Sequence, residues 1–158
     1  MPGQQQRAVE RGQPAPEFTL RDQYGQEVAL SGFRGEAPVL VLFYPFAFSR
    51  ICSGELADLR EGLDAFTERD VVPLAVSCDP VFALRAWSDA QRFGFALLSD
   101  FWPHGAAARS YGVFNESAGC ALRGSFLVDR QGVVRWSVLG GMGEARDLEA
   151  HREALALL

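Results

Sequence analysis

The sequence predicts an α/β fold: a mixed central sheet flanked by helices, with a hairpin at its N-terminal end. Three observations carry that reading. Residues 38–44, Pro-Val-Leu-Val-Leu-Phe-Tyr, are an unbroken apolar and β-rich run, the pattern of a strand covered on both faces at the centre of a sheet. After it, β-rich runs alternate with segments of helical period as far as Ser99. Finally, residues 125–128 and 133–138 flank Asp129-Arg130-Gln131-Gly132, a turn sequence that makes them a hairpin.

Each element has its own signal. Residues 18–20 and 27–30 lie on either side of Asp22-Gln23-Tyr24-Gly25 and read as two short strands around a glycine-containing turn. Pro45 ends the strand 38–44, because it has no N–H to give to a ladder. From Ser49 to Phe66 the apolar residues Ile51, Leu56, Leu59, Leu63 and Phe66 recur at helical spacing among Glu55, Asp58, Arg60 and Glu61, which predicts one amphipathic helix. Residues 71–76 predict a second strand, 82–93 a helix, 96–99 a third strand, 106–111 a short helix and 144–158 a final one. Parallel units followed by an antiparallel hairpin and a helix have the order of a thioredoxin-like fold.

The 158 residues suit one domain and are too few for two comfortable ones. Residues 1–13 are polar, Gln-rich and punctuated by glycine, so they are expected to be a flexible tail, with the domain over residues 14–158. A composition of 48% hydrophobic and 22% charged residues is that of an ordinary globular protein. The net charge is −5 and the basic residues form no run, which argues against nucleic acid or an anionic membrane as partner. The N-terminus has no apolar signal region and no later stretch reaches the roughly 20 apolar residues of a membrane helix, so a cytoplasmic location is expected. Three cysteines, Cys52, Cys78 and Cys120, are an odd and widely spaced set that fits neither a disulfide framework nor zinc ligands.

Cys52 is the residue on which function turns. It falls in the first turn of the predicted helix, three residues after Ser49 and just beyond the strand-ending Pro45. A thiol in that position faces backbone N–H groups with no partner inside the helix and the positive end of the macrodipole, both of which favour thiolate. A free cysteine of pKa ~8.5 is only a few per cent thiolate near neutral pH, so such help decides whether it reacts. Dithiol exchange within the helix is excluded, because Cys52-Ser53-Gly54-Glu55 puts a carboxylate where a second thiol would stand. A metal site lacks neighbouring ligands, and His104 and His151 offer no set. What remains is one activated thiol attacking a small electrophile, weighed against a buried inert cysteine that merely packs.

Pro45-x-x-x-Ser49-x-x-Cys52 resembles the active-site pattern of the peroxiredoxin family, in which the hydroxyl residue is threonine or serine. Residues 97–105, 111–116 and 123–129 look like the AhpE-type one-cysteine branch, and the resemblance runs from Pro14 to the C-terminus. It implies a thioredoxin-like hydroperoxide reductase with Cys52 as peroxidatic cysteine, no cofactor and no metal. It further implies that Ser49, the Cys52 N–H and Arg123 hold the peroxide, that Pro45 shields the thiolate, and that Glu55 orients arginine side chains. A homodimer is implied, as is reduction by an external thiol: a low-molecular-weight thiol with a mycoredoxin-, glutaredoxin- or thioredoxin-like protein. Ser49 in place of threonine keeps the hydroxyl and loses the methyl that restricts its rotamer.

Other readings stay open beside this one. Cys52 also suits a redox relay that passes oxidation to a partner protein, and Cys120, close in sequence to Arg123, suits a two-cysteine peroxidase as resolving thiol. Arg123 and Glu55 have ordinary readings too, as a surface arginine and a solvated helix face. Cys78 is expected to be a small core residue, His104 to cap the short helix, and His151 to lie on a solvated face. Phe46, Phe48, Phe101 and Trp102 are expected in the core or at an interface.

Overall fold

The computed structural model describes residues 7–158. Its centre is a seven-stranded sheet in the order β2-β1-β5-β4-β3-β8-β9. The strands are β1 (Thr19–Arg21), β2 (Glu27–Ala29), β3 (Val39–Phe43), β4 (Val72–Ser77), β5 (Ala96–Ser99), β8 (Arg123–Val128) and β9 (Val134–Gly140), and β6 (Phe114–Asn115) pairs separately with β7 (Cys120–Ala121). Helices α1 (Arg50–Glu61), α2 (Asp64–Thr67), α3 (Val81–Gln91), α4 (Ala106–Ser110) and α5 (Leu148–Ala154) cover the sheet. Among the described residues no helix is long and apolar enough to cross a membrane.

The apolar run at β3 does what its pattern demands: every residue of Val39–Phe43 is buried. Alternation divides it between two cores. Leu40, Leu42 and Tyr44 face a cluster containing Leu56 and Leu59 of α1, Leu84 and Trp87 of α3, and Leu148 of α5. Val39, Val41 and Phe43 face the other side, with Ala107 and Ala108 of α4, Tyr111 and Phe126. Strands β3, β4 and β5 are parallel, while β8 runs antiparallel to β3 with Leu42 opposite Ser125. That reversal brings the beginning of β8, where Arg123 stands, to the same edge as the end of β3. The first turn of α1 opens at that edge, four residues past Tyr44 and Pro45.

Four boundaries differ from the sequence reading. The helix expected over residues 49–66 breaks after Glu61, where Gly62 leaves the helical region at φ −100°, ψ 16°, the Leu63 N–H closes onto Arg60 only three residues back, and the Arg152 guanidinium fills the place of a Gly62 side chain. A Cβ on Gly62 would lie 2.6 Å from Arg152 Nη2. The last helix begins at Leu148, capped by the Asp147 carboxylate on the Glu149 and Ala150 N–H groups, and its final residues tighten into a 3₁₀ turn. The β6–β7 pair, two residues a side, has no periodic signal. Of the expected tail, residues 1–6 lie outside the described residues. The rest is tied down: the Val9 N–H bonds the Tyr111 carbonyl, the Gly12 N–H bonds that of Val134, and Pro14 bridges Val133. Gly112, at φ 73°, lets this segment cross directly over it, since a Cβ there would lie 2.6 Å from Ala8 Cα.

Candidate active site

Helix α1 buries Cys52, Glu55, Leu56 and Leu59, the i, i+3, i+4, i+7 stripe of one helix face. The stripe therefore places a thiol and a carboxylate one turn apart in the interior. Cys52 is fully buried and is the third residue of the helix; no side chain caps the turn and no acidic residue stands in it. The amides of Arg50, Ile51 and Cys52 thus keep the positive end of the helix open toward the sulfur. The Ser49 hydroxyl, expected to help hold the peroxide, donates to the Phe46 carbonyl at 2.8 Å, which leaves its lone pairs free. Pro45 is buried behind it. The intervening loop is held by the Ala47 N–H on Asp79 Oδ2 at 2.8 Å and by the Phe48 ring, 5.9 Å from that of Trp87.

A carboxylate buried to 3% exposure is costly unless its charge and lone pairs are met. Glu55 meets both needs with two arginines. Its Oε1 accepts from Arg123 Nη1, and its Oε2 accepts the Arg146 backbone N–H at 2.9 Å while lying 2.9 Å from Arg146 Nε. Both guanidinium groups are as buried as their partner. Arg123, expected as a site residue, is therefore neither on the surface nor alone, and Glu55 does orient arginines. Arg146 was missed by sequence reasoning. It sits in the connection between β9 and α5, where no period exists to single it out. The N-capping Asp147 immediately after it is the one local signal that fixes its place. Arg146 Nη1 donates to Ser125 Oγ at 2.8 Å and to the Gly124 carbonyl at 3.1 Å, and Nη2 donates to the Phe43 carbonyl.

The electrostatics follow from this crowding. Burial, with Arg123 beside it, pushes the Arg146 guanidinium down to about 9, against an upward pull from Cys52 and Tyr44, so it stays charged at neutral pH. The Tyr44 hydroxyl is buried without an aligned hydrogen bond, facing Ser77, Asp79, Cys52 and Arg146, and burial raises its pKa above the usual phenol value. Arg123 Nε is likewise buried with no acceptor. With Arg146 Nε, which lies beside the Glu55 carboxylate without an aligned hydrogen bond, three buried donors among the described residues are left unpaired around the α1 terminus, and the Tyr44 hydroxyl and Arg123 Nε are groups that a bound oxygen would satisfy.

The other cysteines are free and buried as well. Burial, then the charges of Asp100, Cys120 and Asp79, pushes the Cys78 thiol up to about 12, and burial with Cys52 and Asp79 nearby raises that of Cys120. Both are therefore neutral thiols packed behind the site. His104 bridges the Phe101 and Gly119 carbonyls, whereas His151, expected on a solvated face, is buried at 2% exposure. Phe82, at 87% exposure, Phe101 and Trp102, at 81%, line one surface groove, and Phe46 and Phe48 are exposed as well.

Residues 11–137 match the AhpC/TSA family. The chain is 50% identical to alkyl hydroperoxide reductase E of Mycobacterium tuberculosis over 147 residues, covering 93% of this chain and 96% of that protein. Among solved structures, the reduced 2-Cys peroxiredoxin of Plasmodium vivax superposes with a TM-score of 0.86 at 28% identity, over 94% of this chain and 81% of that one. The peroxidoxin BcpB of Mycobacterium tuberculosis gives 0.82 at 28% identity, over 94% and 96%. With a reactive-thiol geometry at one end of such a sheet, the chain belongs to the AhpC/TSA family: it is a peroxiredoxin of thioredoxin-like fold, a thiol-dependent peroxidase.

Proposed function

We propose that the chain reduces hydrogen peroxide, organic hydroperoxides or peroxynitrite at Cys52, and that an external thiol resolves the sulfenic acid. The observation that carries this is the thiol in the uncapped first turn of α1, one turn from a carboxylate that holds two buried guanidinium groups. The Cys52 thiolate attacks one peroxide oxygen; the S–O bond forms as the O–O bond breaks, and sulfur gives up two electrons. From a hydroperoxide the leaving oxygen departs as hydroxide or alkoxide and takes a proton to become water or an alcohol; from peroxynitrite it departs as nitrite.

The surrounding residues act on the charge that moves. Arg123 and the Cys52 N–H stabilise the leaving oxygen, and Arg123 Nε and the Tyr44 hydroxyl have hydrogen bonds to give. Ser49, its proton committed to Phe46, offers lone pairs to the hydroperoxide O–H. Pro45 keeps water from the sulfur. Glu55 is a positioning residue for both arginines, and Arg146 adds a second positive charge. Cys52 is fully buried, so only a small peroxide entering past residues 45–49 reaches it.

In the second half of the cycle an outside thiol attacks the sulfenic sulfur, giving a mixed disulfide and water, and a second thiol then displaces Cys52. The reductant is a low-molecular-weight thiol together with a mycoredoxin-, glutaredoxin- or thioredoxin-like protein, in a reducing compartment such as the cytoplasm. Cys120 and Cys78, neutral and buried, stay out of the exchange. The apolar patch of Phe82, Phe101 and Trp102 suits a homodimer. Intact-mass analysis after one equivalent of peroxide tests the scheme. The parent and Cys120→Ser both gain one oxygen that dimedone traps, and Cys52→Ser gains none. Loss of two hydrogens in the parent only would overturn external resolution, and undiminished peroxide consumption by Cys52→Ser would overturn the role of Cys52.

A further inference from the structure

Arg146 is held on its far side by a buried chain of hydrogen bonds that ends in a titratable ring. His151 Nδ1 lies 2.7 Å from the Asp147 backbone oxygen, which only accepts, so Nδ1 carries the proton of the neutral ring. Nε2 is then a bare acceptor, and it lies 2.7 Å from Ser125 Oγ. The Ser125 hydroxyl must donate to it, which turns the Ser125 lone pairs toward Arg146 Nη1 at 2.8 Å. The ring is fixed from the other side by Trp136, edge to face at 4.9 Å, and Ser125 is fully buried. No freedom remains for either group to find another partner.

We propose that His151 is a positioning residue for peroxide reduction, which in its neutral form orients Ser125 and through it Arg146, and which on protonation releases Arg146 from the site. The reason is the direction of the chain. A protonated ring has Nε2–H, so it donates to Ser125 and strands the hydroxyl proton in a dry interior. It also sets a second cation beside Arg146. The charged groups facing the ring are Arg146 and Asp147; Arg123 of β8 and Glu55 of α1 reach it only through Arg146, and Glu149 and Arg152 pair with each other on the outside of α5. Among the described residues no carboxylate side chain bonds the ring to compensate its charge. Burial is the largest cause holding the His151 pKa below the ordinary range, and Arg146 adds to it against the opposing Asp147 carbonyl.

The inference rests on the peroxidase reading for its kinetic arm only. The first arm is NMR of the parent, with the chain's other histidine removed as His104→Gln. At neutral pH the His151 ring is the Nδ1–H tautomer, and on acidification the Arg146 guanidinium signals move with the His151 titration. In Ser125→Ala the ring still titrates and Arg146 no longer follows. The second arm is the rate of Cys52 oxidation against pH, divided by the thiolate fraction measured by absorbance. In the parent this ratio falls about tenfold on the acid side, the scale of a misplaced transition-state donor. In His151→Gln, whose amide oxygen accepts from Ser125 and does not titrate, it holds within about twofold, the spread expected of a preserved contact. An Nε2–H tautomer, Arg146 signals indifferent to His151, or the parent's acid limb persisting in His151→Gln would each overturn the proposal. If the variants fail to fold, the parent titration decides it. If the parent consumes no peroxide, the peroxidase reading falls while the NMR arm still judges the coupling.

Discussion

Replacing Glu55 by glutamine tests the centre of the site with almost no change of shape. The wild-type side chain is 2% exposed; it accepts from Arg123 Nη1 and from the Arg146 N–H at 2.9 Å, and it lies 2.9 Å from Arg146 Nε as an ion pair. Glutamine turns one acceptor oxygen into an NH₂ that must face a donor, and it removes the negative charge in contact with two buried cations. Breaking a buried pair by neutralising one partner costs about 3–5 kcal/mol, because the remaining charge stays desolvated. Against a total stability on the order of 10 kcal/mol, that is a large fraction. At about 2–4 °C per kcal/mol for a chain of this size, melting falls by roughly 6–20 °C. The site is dry, so the loss is insensitive to salt. The exposed pair Arg85–Asp89, with side chains 53% and 58% exposed, provides the contrast. Asp89→Asn changes stability by at most about 0.5 kcal/mol, and salt removes even that. Urea and thermal unfolding of both variants at low salt and at ~0.5 M NaCl make the comparison. The reasoning is refuted if Glu55→Gln lies within about 1 kcal/mol of the parent, or if its deficit closes in salt as that of Asp89→Asn does.

Gly112→Ala forces a side chain into the backbone of residues 7–8 at positive φ, costs about 1–3 kcal/mol, and releases Val9, whose amide then exchanges as fast as a free one. Continued protection of Val9 would contradict the packing. Phe82→Glu, at the most exposed aromatic, converts a dimer to a monomer in size-exclusion chromatography; an unchanged elution volume would take this patch out of the interface. His151 makes stability depend on pH with a definite sign. A histidine whose pKa is depressed by folding binds fewer protons folded than unfolded, so its contribution is complete above the ordinary value near 6.5 and is lost as pH falls through the folded value. Urea midpoints of the parent therefore drop faster than those of His151→Gln below that pH, and parallel curves would show that the ring is not held neutral.

The sequence reveals the parts of this molecule that local chemistry specifies. The strand at Val39–Phe43 is legible because a run buried on both faces must be apolar throughout, and the start of α1 is legible because Pro45 stops a strand and Ser49 can begin a helix. Cys52 is legible from its place in the first turn of that helix, whereas Glu55 stands among the helix's polar residues and only the family resemblance singles it out. Arg146 is not legible, since it is placed by the Glu55 carboxylate and the Phe43 carbonyl, partners 91 and 103 residues away. His151 was misread for the same reason: one histidine on a predominantly polar helix suggests solvent, and only Ser125 and Trp136 explain its burial. Composition misled at residues 7–13, where polar residues are fixed by backbone bonds to Tyr111 and Val134. The Ser49 hydroxyl shows a finer limit, because its bonding partner depends on how residues 46–49 turn.

The antiparallel insertion of β8 and the return of the chain before α5 have a kinetic meaning. Glu55 meets Arg123 across 68 residues of sequence and Arg146 across 91, so the site closes two long loops. Closing long loops is an entropic cost that contacts repay only late in folding. A chain that has formed β3, α1, β4 and β8 but has not docked the segment around Arg146 already contains Cys52, in a helix whose carboxylate lacks one of its two cations. Completion of the fold is therefore what assembles both cations on the Glu55 carboxylate, one helical turn from Cys52.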